Sequence, residues 1–334
     1  MNSVTNLDLQ KVKEVLEEIF YPDKITDLHF FKGGNVNTLI SFQANSDPYI
    51  LKALTRKPAQ RSEFYRLEKE AKLFDYFNRE SEQQQFHGTK KGKVPVPEVI
   101  HLETNEELLG AKFEILSRIS GKLWKECWNY LTYKKKEQLV VELAKILQGV
   151  HSQKYELFGE IEEYDCPRRF FSYESFLKAN LRRNIRILRN EKRLSSDLLT
   201  QSERFIEENL EQANFTTEPT LVHADINEAN LIVQEQNKGE WSINGLLDFE
   251  WAYAGDPITD LFEIEELIKE KTLQETFFKH YSQDQHFQLE NYQIEKRIIS
   301  ITASLESAAI GWIRFHPTEE NLEYVTKQLQ KNIQ

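Results

Sequence analysis

Between Asn230 and Asp248 the chain runs out and back. Two short apolar arms, Leu231-Ile232-Val233 and Ile243 with Leu246-Leu247, flank the polar run Gln234 to Glu240, which contains Gly239. Apolar arms around a polar, glycine-bearing turn predict an antiparallel hairpin. A hairpin sets the residue before its first strand beside the residue after its second. Asn230 and Asp248 are thereby brought together across a gap of eighteen positions, with Asp225 on the same loop as Asn230.

An amide and a carboxylate placed side by side offer the hard oxygen donors that Mg²⁺ prefers, with phosphate oxygens and waters completing an octahedron. Phosphoryl transfer asks little more of a protein than to hold phosphates and metal, orient the attacking hydroxyl and accept its proton. Asn230 and Asp248 are the candidate metal ligands and Asp225 a base-like carboxylate, and together they read as a phosphoryl-transfer site.

Three features carry a resemblance: His223-Ala224-Asp225 followed by Asn230, then Asp248-Phe249, then Gly255-Asp256-Pro257 with Asp260-Leu261. In this pattern the chain resembles the small-molecule kinases of the aminoglycoside phosphotransferase and choline kinase type, which share the protein-kinase fold. Ala224 stands where that family has Gly. The resemblance implies Asp225 as catalytic base or hydroxyl-positioning group, Asn230 and Asp248 as Mg²⁺ ligands, and His223 as the scaffold of the loop. Asp256 and Asp260 read as structural, one in a turn and one capping a helix.

An ATP site of this kind needs a phosphate-covering loop, a lysine and a partner for it. Leu28 to Lys32, Thr38 to Phe42 and Tyr49 to Leu54 read as three antiparallel strands. Gly33-Gly34 opens the first turn, where backbone N–H groups can approach phosphate oxygens. Lys52 stands in an otherwise apolar strand and is the candidate contact to the α- and β-phosphates. From Ser62 to Asn78 the residues Phe64, Leu67, Ala71, Phe74 and Phe77 recur at helical spacing. By the resemblance a glutamate on that helix pairs with Lys52: Glu70 fits best, with Glu68 and Glu63 as alternatives. After the proline-marked edge run Val94 to Ile100, Lys112 to Gly121 reads as the last small-lobe strand and hinge. There the family holds the adenine edge by main-chain groups, here those of Ser117 and Ile119.

The fold class expected is α+β, a bilobal protein-kinase-like fold: a small lobe of antiparallel sheet plus helix over 1–120, ending in the hinge, and a mostly helical catalytic and substrate lobe over 121–334. With 334 residues and 40% hydrophobic content, the chain can bury a core of that size. Helices are predicted over Glu137 to His151, Ser172 to Asn190 and Asp197 to Gln212, and Ser81 to Lys93 reads as a loop. Cys127 and Cys166 are too few for a disulfide framework. No signal-peptide pattern and no apolar run of about 18 residues stands out, so the expectation is a cytoplasmic protein without a membrane segment. A net charge of -11 disfavours a nucleic-acid partner, and the stripe Arg182, Arg186, Arg189 and Arg193 reads as a solvated helix face.

Only a handful of residues separate Asp248-Phe249 from Gly255-Asp256-Pro257, too few for the activation segment of a protein kinase. The resemblance implies transfer of the γ-phosphoryl of ATP or GTP, with Mg²⁺, to a hydroxyl of a small molecule. Aminoglycoside-type antibiotics lead; choline or amino alcohols, thiamine, sugars, homoserine and macrolides are alternatives. Glu263, Glu266 and Glu270 read first as a solvated acidic face and alternatively as a contact for a cationic acceptor, and Glu228 inside the loop reads as either. Trp124, Trp128, Tyr130 and Tyr133 read as packing or as the flank of a substrate site. A nucleotide-binding pseudokinase would need a damaged catalytic set, and Lys52, Asp225, Asn230 and Asp248 all stand intact.

Overall fold

A computed structural model describes residues 6–31, 37–56, 65–87, 93–161, 168–236, 239–282 and 291–334. In chain order its elements are α1 (Leu9–Ile19), β1 (Ile25–Phe30), β2 (Thr38–Ala44), β3 (Asp47–Ala53), α2 (Arg66–His87), β4 (Val99–Glu103), β5 (Phe113–Ser117), β6 (Lys122–Leu123), α3 (Trp124–Cys127) and α4 (Tyr133–His151). There follow β7 (Phe158–Gly159), β8 (Arg169–Phe170), α5 (Tyr173–Glu191), α6 (Ser196–Asn209), β9 (Thr220–Val222), β10 (Leu231–Glu235), β11 (Trp241–Leu246) and β12 (Tyr253–Gly255). The chain ends with α7 (Ile258–Leu267), α8 (Lys271–Tyr281), α9 (Gln293–Ala309), α10 (Trp312–Phe315) and α11 (Glu319–Ile333).

Two compact units result, one of 1–149 with 227–251 and the other of 150–226 with 252–334. The first holds a five-stranded sheet of order β1-β2-β3-β5-β4, its pairs antiparallel. Ile40, Phe42, Leu51, Phe113 and Ile115 from its strands and Val12 and Leu16 from α1 form one buried cluster. Helix α2 presents Phe74 and Phe77 to Phe249, with ring centroids 5.9 and 5.5 Å apart. That aromatic packing ties α2 to the segment after β11.

Sequence analysis divides the chain at Gly121, but the first unit runs on to Gly149 and takes back Asn227–Trp251. The reason is local pairing. Strand β6 pairs with β10, the Ile243 N–H donates to Glu142 of α4 at 3.0 Å, and Lys135 meets Glu235 at 3.2 Å. Gly121 itself has φ +138°, and a Cβ there would lie 2.6 Å from the Val233 carbonyl oxygen.

The second unit is mostly helical and is built around α9, which packs against α5, α6, α7, α10 and α11. Gln293–Phe315, 23 residues, is long and apolar enough to cross a membrane by length and composition alone. The sequence expectation missed it because Lys296, Arg297 and Glu306 interrupt the apolar run. Here Ile298, Ile301, Leu305, Ala308 and Ala309 are core side chains. The loop expected from Ser81 is helical as far as His87, since a polar run lacking glycine and proline gives the helix no reason to stop.

Strands β2 and β3 join through Asn45-Ser46 alone, Ala44 pairing with Asp47. Both turn residues have positive φ, 47° and 77°, as a type I′ hairpin requires. Asn tolerates that conformation and Ser does so poorly. Ser46→Gly is expected to raise stability by up to about 1 kcal/mol, read as a higher urea midpoint with an unchanged slope.

Candidate active site

Lys52 comes from β3 and is 6% exposed. Its ammonium donates to Glu70 Oε2 on α2 at 2.5 Å and Asp248 Oδ1 at 3.1 Å, and forms an ion pair with Glu250 Oε1 at 2.7 Å. Of the three glutamates considered for it, Glu70 makes the contact. Glu68 pairs with Lys112 at 2.6 Å instead, and Glu63 lies outside the described residues. Asn37 donates to Glu250 Oε1, and Arg66 stands 3.9 Å from Glu250 Oε2 while covering the Trp251 ring at 4.0 Å. Burial works against the ammonium, but Asp248, Glu250, Glu70 and Glu114 together hold its pKa well above the usual lysine range. Burial, reinforced by Asp248 and Glu250 and opposed by Lys52, pushes the Glu70 carboxyl up to about 8.

The hairpin forms as expected. Leu231 pairs with Leu246, and the Leu247 N–H donates to the Asn230 carbonyl at 2.9 Å. Asn230 and Asp248 therefore flank its open end. Asn230 is buried, whereas the Asp248 side chain is 37% exposed on a backbone with φ 68°, a conformation Asp accepts more readily than most residues. An amide oxygen and a partly exposed carboxylate, already turned toward a cation in Lys52, suit a hard divalent ion.

In the second unit the loop that begins at His223 is held through its backbone. Asp260, in the first turn of α7, accepts from the His223 N–H with Oδ2 and the Ala224 N–H with Oδ1, both at 2.8 Å. It also bonds His151 Nε2 at 2.9 Å, and His151 Nδ1 meets the Tyr281 hydroxyl at 2.7 Å. His223 is fully buried, and its Nδ1 accepts from the Asp225 N–H at 3.2 Å. Glu263 Oε2 accepts from the Ile226 N–H at 2.7 Å. Burial first, then Asp260 and Asp225, drive the Glu263 carboxyl well above the usual range, so Glu263 and Asp225 lie within each other's field. Ala224 has φ 61°, the left-handed conformation that a glycine would adopt without strain.

Several expectations need correction. Asp260 is structural, yet it caps no helix; it clamps the loop from behind. The glutamates after it do not form one face, because Glu263 is committed to the loop while Glu266 is exposed and paired with Lys269 at 2.7 Å. Asp256 does serve a turn, accepting from Ile258 and Thr216 N–H groups at 2.9 and 2.6 Å. Trp124 stacks on Trp128 at 4.3 Å, both buried, which is packing. Arg189 pairs with Glu203 and Arg193 with Glu191. Where the hinge was expected, the Ser117 N–H donates to the Glu98 carbonyl at 2.9 Å, and the Ile119 N–H has no partner among the described residues. Gly33 and Gly34 lie outside the described residues.

Sequence reasoning overlooked Glu250, Asn37 and Glu114. Glu114 was detectable: it interrupts the apolar strand Phe113 to Leu116 just as Lys52 interrupts its own. Removing the cation from this carboxylate cluster should be costly and dependent on pH. Glu70 holds its proton up to about 8 when folded against an ordinary value of 4.5, so its contribution to stability is present below pH 4.5 and is lost as pH rises through 8. Lys52→Met is therefore expected to lose roughly 3–5 kcal/mol in urea unfolding at pH 8 and clearly less at pH 5. Equal losses at both values would show that the carboxylates are not the cause.

The family model of the phosphotransferase enzyme family matches residues 27–290. Among solved structures, aminoglycoside phosphotransferase APH(4)-Ia has a TM-score of 0.68 at 15% identity, covering 98% of each chain. The gentamicin complex of APH(2'')-IIa has a TM-score of 0.62 at 21% identity, covering 98% of this chain and 97% of that one. A thermostable mutant of APH(4)-Ia in ternary complex with ADP and hygromycin B gives 0.67 at 16%, covering 97% and 98%. Comparison with curated protein sequences gives no match. These likenesses identify the bilobal protein-kinase-like fold. With the family model spanning most of the chain and both motif halves inside it, this protein belongs to the phosphotransferase enzyme family and is a small-molecule kinase.

Proposed function

We propose that the protein transfers the γ-phosphoryl group of ATP or GTP to a hydroxyl of a cationic small molecule, with aminoglycoside-type acceptors foremost. The observation that carries this reading is the hairpin closure: the Leu247 N–H on the Asn230 carbonyl sets an amide and a carboxylate side by side, and that carboxylate is bonded to a buried lysine. Bound there, Mg²⁺ would neutralise charge building up on the phosphates. Asn230 and Asp248 are its ligands in this reading.

The remaining roles follow from what each side chain can do. Lys52 is an always-charged donor aimed by Glu70, suited to the α- and β-phosphate oxygens. The Ser117 carbonyl and Ile119 N–H offer an acceptor and a donor to the edge of the base, with Gly33-Gly34 as the phosphate-covering turn. Asp225, five residues before Asn230 on one loop, orients the acceptor hydroxyl and takes its proton. Its loop is fixed by backbone hydrogen bonds to Asp260 and Glu263, so the carboxylate is positioned before an acceptor arrives.

Relatives in fold support a cationic acceptor: their complexes hold ADP or AMP-PNP with hygromycin B, ATP with streptomycin, or gentamicin.

The test is nucleoside-diphosphate release with Mg²⁺ and ATP or GTP against aminoglycosides, amino alcohols, thiamine, sugars, homoserine and macrolides. At least one cationic acceptor is expected to raise the rate above the no-acceptor level. Asp225→Asn should then lose about 10²-fold or more in kcat with nucleotide affinity retained; an unaltered rate removes Asp225 from its role. Charge reversal at exposed Glu266 should leave KM as it is.

A further inference from the structure

Tyr281 is the last residue of α8, a helix that buries Leu273 and Phe277. Phe277, one turn earlier, stacks on the tyrosine ring with centroids 5.8 Å apart. That packing carries the hydroxyl to His151 at the end of α4. The imidazole meets the phenol ring edge-on, at 84°, and its Nδ1 stands 2.7 Å from the hydroxyl oxygen. Nε2 of the same ring lies 2.9 Å from Asp260 Oδ2. A continuous series of hydrogen bonds thus runs from α8 through His151 and Asp260 to the N–H groups of His223 and Ala224, the two residues before Asp225.

The direction of each bond follows from its ends. Asp260 takes a backbone N–H on either oxygen, so it acts as an acceptor, and the proton between it and His151 belongs to Nε2. A neutral imidazole has one donor and one acceptor nitrogen, which leaves Nδ1 to accept. Its partner there is a phenol, a group that keeps its proton to about pH 10. The bond made by one ring nitrogen sets the proton on the other. His151 is buried, where an acceptor nitrogen left without a donor is costly.

We propose that Tyr281 is a positioning residue for Asp225: its O–H donates to His151 Nδ1 and holds the imidazole as the Nε2–H tautomer turned to Asp260. Asp260 in turn sets the backbone from which Asp225 projects. The inference rests on the reading of Asp225 as the group that orients the acceptor hydroxyl. Without the Tyr281 hydroxyl the imidazole can turn away or take a second proton. The clamp on Ala224, with its φ of 61°, is then weaker, and the Asp225 carboxylate is less well aimed.

The experiment uses the full chain at neutral pH. Nitrogen NMR of histidine-labelled protein, with the His151 signals assigned by their loss in His151→Leu, is expected to show a proton on Nε2 and none on Nδ1. Nucleoside-diphosphate release from ATP and GTP with Mg²⁺, taking water as the acceptor, gives kcat, and calorimetry gives nucleotide Kd. Tyr281→Phe should lower kcat about tenfold, the scale of one hydrogen bond. Its Kd should stay within about twofold, since Lys52, Asn230 and Asp248 belong to the first unit. Added to His151→Leu, the same change should cost no further kcat, because its route to Asp225 is already cut. An undiminished kcat in Tyr281→Phe overturns the proposal, as do additive losses in the double variant. If Tyr281→Phe does not fold, the parent spectrum decides, and a proton on Nδ1 overturns the proposal. An unaltered rate in Asp225→Asn would instead remove Asp225 from its role, a separate failure.

Discussion

Taking an ammonium out of water costs several kcal/mol unless partners of opposite charge arrive with good geometry. Lys52 is buried on β3, and its partners come from α2, from β5 and from the segment after β11. Each must be in place for the others to be tolerated, because four carboxyl groups around one lysine repel one another once the lysine is gone. The pairing of β3 with β5, the seating of α2 through Phe74 and Phe77 on Phe249, and the closure of the β10-β11 hairpin are therefore coupled requirements. Stability of the first unit thus depends on the cation that the proposed function assigns to the phosphates.

The second unit solves its part of the problem through backbone. Asp260 and Glu263 project from the first two turns of α7 and accept three N–H groups of the His223 to Ile226 segment. That clamp holds Ala224 in a left-handed conformation which costs an alanine about 1–2 kcal/mol. His151 and Tyr281 stand behind Asp260 and complete its hydrogen bonding. Asp225 is thus presented by a rigid support while its own side chain remains partly exposed.

Much of this was legible in the sequence because its signals were local. The hairpin showed in its apolar arms, the helices in their periodicity, and Lys52 in being charged among apolar neighbours. Glu70 could be separated from Glu68 only as a preference, since both ride the same helix and their partners lie far along the chain, Lys52 on β3 and Lys112 just before β5. Glu250 and Asn37 meet across 213 positions, a distance over which no spacing rule operates. Asp260 and Glu263 were read as cap and solvated face because helical position is visible in a sequence whereas the strand or loop behind a helix is not. The boundary at Gly121 missed β6, a strand of two residues, too short to leave a pattern.

The first unit is discontinuous in the chain, and that has a consequence for its biosynthesis. Lys52 leaves the ribosome 196 residues ahead of Asp248, which at about 5–20 residues per second is roughly 10–40 s. Through that interval β3, α2 and β5 can assemble, and Lys52 can meet Glu70 and Glu114, but two of its three final partners have yet to be made. The nascent sheet must wait with a half-compensated buried charge while residues of the other unit are synthesised. Arrival of Asp248 and Glu250 is then the late step that completes compensation of the Lys52 charge.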